Sequence, residues 1–204
     1  MFLVALTGGI ASGKSTVSRL MEEKGAKVLD SDLLAREVVR KGEPAWREIV
    51  EHFGEGILEP GGEINRRKMA DIVFRNPEER AFLNSVTHPR VFQLMADRLR
   101  ELEAETGAEG IVVLDIPLLV EAKAGSLFDF NLVVDSPPEI QVERLIADRD
   151  STAEEAWSRI RSQAPRSERL ACADFIVRNE GSLEDLRLEV DQAWEAVLAR
   201  ARGS

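Results

Sequence analysis

The octapeptide Gly8-Gly9-Ile10-Ala11-Ser12-Gly13-Lys14-Ser15 constrains this chain more than any other feature. It fits G-x-x-x-x-G-K-[ST] at every fixed position. An apolar run, Phe2–Leu6, precedes it. After it Val17, Leu20 and Met21 recur at helical spacing, with Gly25 as the stop. A buried strand, a glycine loop and a helix in that order make a phosphate cradle. Gly8 and Gly13 permit backbone angles that side chains oppose, so successive N–H groups can turn inward around phosphate oxygens. The helix adds its positive N-terminal end to the same anion. Lys14 is a compact cation able to reach the β- and γ-phosphates, and the Ser15 hydroxyl can ligate Mg²⁺. The residues expected at ATP are therefore Gly9, Ile10, Ala11, Ser12, Gly13, Lys14, Ser15 and Thr16. A chance glycine-rich turn would lack the flanking strand and helix.

Such a loop holds a triphosphate without deciding its fate. A GTPase would carry a guanine-reading Asn-Lys-x-Asp, and the sequence has none. A mechanical ATPase usually has an apolar strand ending in adjacent acids, whereas Ile111–Asp115 ends in one acid followed by Ile116-Pro117. A small kinase acting on a metabolite is left.

Further short runs of strand type are Lys27–Asp30, Ile111–Ile116, Asn131–Asp135 and Asp174–Val177. Helical patterns lie between them, from about Leu33 to Lys41 and from Glu139 to about Arg149. Ser151-Thr152-Ala153-Glu154 and Ser182-Leu183-Glu184-Asp185 both have capping-box spacing. The second opens a C-terminal helix with Leu186, Val190, Trp194 and Val197 on its apolar face. Gly42 to about Gly110 is largely helical in pattern, with Trp46, Ile49, Val50 and Phe53 on one face and a turn-rich break at Gly54–Gly62. Helices are expected there over Asn65–Phe74, Glu78–Val86 and Val91–Glu105. Strand–helix alternation with buried strands predicts an α/β fold whose parallel sheet is covered on both sides. Five strands are expected, with the helical insertion between the second and third.

The chain has 204 residues, enough for one well-buried α/β domain with a small inserted lobe. Its formal net charge of −10 disfavours a nucleic-acid partner. Basic residues that handle polyanionic substrates must then be clustered locally. Cys172 is the single cysteine, which rules out an intramolecular disulfide and a cysteine-rich zinc site. No apolar segment approaches the roughly 20 residues that span a bilayer, so no membrane association is expected and the simplest compartment is the cytoplasm. No heptad seam or apolar stripe argues for an oligomer, and a monomer is the default.

On the acceptor side, Asp30 and Asp32 lie two residues apart at the end of the second strand. Their side chains start on the same side if the strand continues. A carboxylate at a strand's C-terminal end can orient an acceptor hydroxyl and take its proton late in phosphoryl transfer. Capping of the following helix is the competing role for either. Asp115 has two open readings: holding Mg²⁺ through water, or fixing the turn before Pro117. Arg144, Arg149, Arg159, Arg161, Arg166 and Arg169 fall in one helix–turn–helix stretch. Part of that set is expected to be a solvated face and part an arginine-bearing flap over ATP. Arg149, at the break between helices, is the choice for a catalytic role.

Taken together, these residues resemble the dephospho-CoA kinase family over nearly the whole chain. The resemblance begins with Leu6-Thr7-Gly8-Gly9-Ile10 and Ser12-Gly13-Lys14-Ser15-Thr16. It continues through Asp30-Ser31-Asp32, Ala35-Arg36, Arg66 before Ile72-Val73-Phe74, and Thr87-His88-Pro89-Arg90-Val91. Asp115-Ile116-Pro117-Leu118-Leu119-Val120-Glu121, Arg159-Ile160-Arg161-Ser162-Gln163 and Ala173-Asp174-Phe175-Ile176-Val177 with Asn179 and Gly181 complete it. The resemblance implies a three-layer P-loop kinase fold with a helical lid. It also implies transfer of the ATP γ-phosphoryl group, with Mg²⁺, to the ribose 3′-hydroxyl of dephospho-CoA. Asp32 would be the acceptor-activating carboxylate, alongside Lys14 and Arg149. Arg66, His88, Arg90, Asp115, Leu118, Leu119 and Glu121 would line the dephospho-CoA site. Asn179 and Arg144 would contact ATP, and Ser15 and Asp115 would hold the metal. Within a single domain over 1–204, residues 37–105 would be the CoA-binding lobe and 144–168 the lid. Ala11 stands where the family often has glycine, and Asn65 where an aspartate often precedes the arginine.

Other residues have plainer readings. His88 before Pro89 can simply end a helix. His52 is expected as a surface or partly buried helix residue, Cys172 as a small core residue, and Trp46, Trp157 and Trp194 as packing residues. Two other functions stay open on the residues alone: a nucleoside or nucleotide kinase, and a regulatory protein that binds ATP without transferring it.

Overall fold

The computed structural model describes residues 1–107, 109–149 and 151–203, without the side chains of Asp148 and Arg149. Five strands form one sheet: β1 (Phe2–Gly8), β2 (Lys27–Asp30), β3 (Ile111–Asp115), β4 (Phe130–Asp135) and β5 (Phe175–Arg178), in the order β2-β3-β1-β4-β5. The pairs β1–β3, β1–β4 and β4–β5 are parallel. Leu6 lies opposite Asp115, Gly8 opposite Val134, and Asp135 opposite Arg178. Parallel strands bring their carboxyl ends to one edge, so Gly8, Asp115 and Asp135 share it.

The chain divides into two compact units, residues 1–29 with 102–204, and residues 30–101. In the first, β3 is buried at every position, as expected of a strand covered on both faces. Helices α1 (Lys14–Glu23) and α9 (Leu183–Arg202) bury Val17, Leu20, Met21, Leu186, Val190 and Val197 in the same core as Leu6, Val113, Leu132 and Val134. A smaller cluster joins α6 (Pro138–Arg149) to α7 (Ala153–Arg161) through Val142, Leu145 and Ala156, and packs on Ile10 and Ala11 of the glycine loop. The short helix α8 (Arg166–Ala171) follows.

In the second unit, α2 (Ser31–Glu37), α3 (Pro44–Phe53), α4 (Arg66–Arg75) and most of α5 (Pro77–Thr106) surround Ala45, Ile49, Ile57, Met69 and Val86. Asn65 caps α4 by accepting the Lys68 N–H at 2.8 Å. Asparagine and aspartate are about equally good at this task, so the departure at position 65 keeps the cap.

Three local expectations are corrected. The helices expected over 78–86 and 91–105 are one, because α5 runs straight through Pro89. Proline removes the bond to Ser85 O and crowds that carbonyl, at a cost of about 3 kcal/mol. Side chains of the same turn instead bond its carbonyls: Thr87 Oγ1 donates to Leu83 O at 2.8 Å, and Arg90 Nη1 to Val86 O at 2.6 Å. With Val86 buried in the unit's core, packing overrides the local rule and His88 ends nothing. The capping box before α7 is shifted by one residue. Thr152 accepts the Glu155 N–H at 3.2 Å while Glu155 Oε2 accepts the Thr152 N–H at 2.9 Å; Ser151 is buried. Finally, β2 stops at Asp30, whose Oδ1 accepts the N–H groups of Asp32 and Leu33 at 2.8 and 3.1 Å. Asp30 is a helix cap. Asp32 lies in the first turn of α2, so the two carboxylates do not share one side of a strand.

Candidate active site

The loop between β1 and α1 is held open by close contacts that only glycine allows. Gly13 has φ 91°, and a Cβ there would overlap Asn179 Nδ2. Gly8 faces Val134 O, which a Cβ would approach to 2.6 Å. Ala11 also lies in the left-handed region, with φ 56°. That conformation costs a residue with a Cβ about 1–2 kcal/mol, which glycine would avoid. Gly13→Ala is expected to lower stability by about 1–3 kcal/mol and to weaken ATP binding. Chemical denaturation and ATP titration of the same variant check both.

Lys14 Nζ is ion-paired with Asp115 Oδ1, joining the loop to the carboxyl end of β3. Asp115 is 4% exposed, and it is aimed at the loop from the neighbouring strand. Ser15 stands exposed at the start of α1. A serine hydroxyl and a carboxylate are hard oxygen donors, which suits Mg²⁺: it takes one or two protein ligands, phosphate oxygens and waters. Among the described residues no cluster of three or more His, Cys, Asp or Glu could hold a metal by protein ligands alone.

Behind the loop, Asn179 Nδ2 donates to Ser12 O at 2.8 Å. Arg144 Nη1 donates to Ala11 O at 3.2 Å and to Ser136 Oγ at 3.1 Å; its Nη2 reaches Asn179 O and Oδ1 at 3.1 and 3.3 Å. Arg144 and Asn179 are thus brought together with Ala11, Ser12 and Gly13. In this arrangement they brace the loop backbone. Arg166 instead forms a two-pronged pair with Asp135, Nε to Oδ1 at 2.9 Å and Nη2 to Oδ2 at 2.5 Å, and that bonding raises its pKa. Arg159 and Arg161 are exposed. The Arg149 side chain lies outside the described residues.

Of three further loop neighbours, Gln163 and Gln141 have no chemical role in the sequence reading, and Arg169 appears there only within the arginine set. Gln163 Oε1 accepts the Ile10 N–H at 2.8 Å from 153 residues away. Gln141 Nε2 would lie 2.6 Å from a Cβ on Gly9, and Arg169 Nη2 would lie 3.0 Å from it. Arg169 Nη1 donates to Ala164 O, and Glu121 Oε1 accepts the Ala164 N–H at 2.8 Å. Gln163 stands inside the Arg159–Gln163 motif, so a signal existed without a chemical reading. Nothing in spacing marked Gln141. Leu118 is exposed, whereas Leu119 is enclosed at 1% exposure. Cys172 is half-buried; its Sγ donates to Arg169 O at 3.0 Å, and burial raises its thiol pKa.

The second unit holds a cavity of about 790 Å³. Val39, Ile49, Ile64, Met69, Val73 and Leu83 give it apolar walls, while Asp32, Arg36, Arg40, Lys41, Glu63 and Arg66 supply charge. Of the residues expected at the acceptor, Asp32 and Arg66 line it and His88 and Arg90 do not. His88 is exposed beside Phe92, and Arg90 Nη2 pairs with Glu48 Oε1 at 2.5 Å. His52, expected as a surface or partly buried helix residue, stacks on Phe82 and bonds Glu79 at 2.6 Å.

A parallel five-stranded sheet with this loop after its first strand, a lysine on the loop and a carboxylate at the next strand end define a phosphotransferase of the P-loop kinase class. A family model described as Dephospho-CoA kinase matches residues 2–185. The chain belongs to the dephospho-CoA kinase family. It is 43% identical over 201 residues to a dephospho-CoA kinase of Streptomyces avermitilis, covering 98% of this chain and 96% of that protein. Among solved structures it resembles a Thermus thermophilus protein, with 36% identity and TM-score 0.80 over 97% of this chain and 96% of the other. A dephospho-CoA kinase from Campylobacter jejuni matches at 27% identity and TM-score 0.72, covering 97% of each chain.

Proposed function

We infer that this chain transfers the γ-phosphoryl group of ATP to the ribose 3′-hydroxyl of dephospho-CoA, giving coenzyme A and ADP, the last step of coenzyme A synthesis. The observation that carries the inference is family membership across nearly the full length, together with an intact phosphate loop whose Lys14 meets Asp115.

In this reading residues 9–16 and the N-terminus of α1 surround the phosphates of ATP, which take the loop N–H groups that Gln163 Oε1 and the loop's own carbonyls leave open. Lys14 exchanges Asp115 for phosphate oxygens and spreads the charge that moves to the leaving group. Ser15 and Asp115 would hold Mg²⁺, which would supply charge neutralisation at the phosphates of ATP. Arg144 and Asn179 keep the loop in its receptive shape and lie at the nucleotide. Asp32 orients the acceptor hydroxyl and takes its proton as the phosphoryl group arrives. The basic rim and apolar walls of the second unit's cavity suit an acceptor with a diphosphate and a long uncharged arm, and Arg66 is one of its phosphate contacts. Residues 37–105 serve as the acceptor lobe and 144–168 as the lid, with His88, Arg90, Leu118, Leu119 and Glu121 completing the substrate contacts and Arg149 the lid's charge. Among the described residues no helix is long and apolar enough to cross a membrane. We take the working form to be a cytoplasmic monomer.

The test is an acceptor panel with MgATP. ADP and a 3′-phosphorylated product are expected with dephospho-CoA. No product from dephospho-CoA, with turnover of a nucleoside, would reject this reading.

A further inference from the structure

Arg169 is a guanidinium at 6% exposure that, among the described residues, has no carboxylate within ion-pairing distance. Burial of such a charge without a partner is costly, and desolvation lowers its pKa. The acids whose fields reach it are otherwise engaged: Asp135 with Arg166, and Glu121 with the Ala164 N–H. Its Nη1 donates to a neutral carbonyl, Ala164 O.

The guanidinium is nevertheless firmly placed. Gln163, one residue before Ala164, bonds the Ile10 N–H, so the 163–164 segment is tied to the loop, and Arg169 is tied to that segment. Its Nη2 lies against Gly9, at 3.0 Å from where a Cβ would stand. The helix end of the loop, Gly13 to Ser15, is the arm that cradles the inner phosphates. The strand-side arm, Gly9-Ile10, is left for the outermost one.

We propose that Arg169 is a fixed positive charge behind the strand-side arm of the loop, acting across Gly9 as a positioning residue for the terminal phosphate of bound ATP. The missing anionic partner is then the ligand itself. A charge held in a water-poor setting acts strongly over this distance and needs no reorganisation at the moment of transfer. The inference rests on the loop being the ATP site.

Titration calorimetry with ADP and with a β,γ-imido analogue of ATP, on the wild type, Arg169→Lys and Arg169→Met, tests it alongside kcat and thermal melting. Arg169→Met is expected to lose about tenfold or more in affinity for the triphosphate analogue, with ADP affinity changed far less, and about 100-fold in kcat/KM. Arg169→Lys, which keeps the charge, is expected to retain most of the preference for the analogue over ADP. Undiminished analogue affinity in Arg169→Met overturns the proposal. So does an Arg169→Lys variant that melts normally yet loses the preference as completely as Met. Should Arg169→Met fail to fold, the lysine variant decides alone: preference kept supports the proposal, preference lost overturns it. A wild type that binds neither nucleotide would reject the loop assignment itself, and this inference with it.

Discussion

Asp32→Asn is expected to lower kcat by about two orders of magnitude or more, with little change in ATP affinity. The residue is exposed in the first turn of α2, so the variant loses only a favourable charge near a helix N-terminus, about 0.3–1 kcal/mol. A large loss of activity in a protein that melts almost normally would therefore report chemistry. Asp30→Asn is the matched comparison. Asparagine still offers the oxygen that accepts the Asp32 and Leu33 N–H groups, so the cap survives and most activity should remain. Equal losses of ATP binding and turnover in Asp32→Asn would instead make Asp32 a structural or metal-holding residue. That outcome would also remove the main distinction between a kinase and a protein that only binds ATP.

Lys14→Ala has the second large effect. We expect kcat/KM for ATP to fall by at least about 100-fold, because a charge-assisted contact to the transferring phosphate is lost. Calorimetric titration of each substrate separately should show ATP binding weakened and dephospho-CoA binding nearly unchanged. The ion pair with Asp115 adds a second component. Without the lysine, the Asp115 carboxylate faces the incoming phosphates and repels them. Adding Asp115→Asn to Lys14→Ala should then recover part of the lost affinity for ATP titrated without Mg²⁺, where the metal-holding role of Asp115 does not enter. No recovery would mean that the lysine's contact with phosphate accounts for the whole effect.

Much of this was legible in the residues because the physics involved is local. The loop motif, the buried strands and the Ser182–Asp185 capping box each depend on neighbours within a few positions, and all five strands fall where the apolar runs place them. The misses have physical causes too. Ser151-x-x-Glu154 and Thr152-x-x-Glu155 overlap, and the pattern alone does not choose between them; burial of Ser151 does. Pro89 reads as a helix end by local rules, yet the turn around Val86 is held by core packing and side-chain bonds that no local rule sees. The surroundings of the loop were the least legible part. Gln141, Gln163 and Arg169 reach Gly9 and Ile10 from more than 130 positions away, through a hairpin of helices and a turn whose path is set only when the sheet forms. Asn179 and Arg144 are expected as nucleotide contacts, and their hold on Ser12 O and Ala11 O is an additional bracing that spacing cannot reveal.

The chain's one cysteine has a consequence for the chemistry of its substrate. Dephospho-CoA and its product both end in a thiol, and their oxidised forms are disulfides that exchange with any accessible thiolate. In Cys172, burial holds the sulfur in its protonated form and its S–H is given to the Arg169 carbonyl. Exchange proceeds through the thiolate, so this sulfur is a poor partner for it. The enzyme is therefore expected to meet oxidised coenzyme A without being readily capped by it, even though this cysteine lies only three residues from Arg169, a neighbour of the phosphate loop.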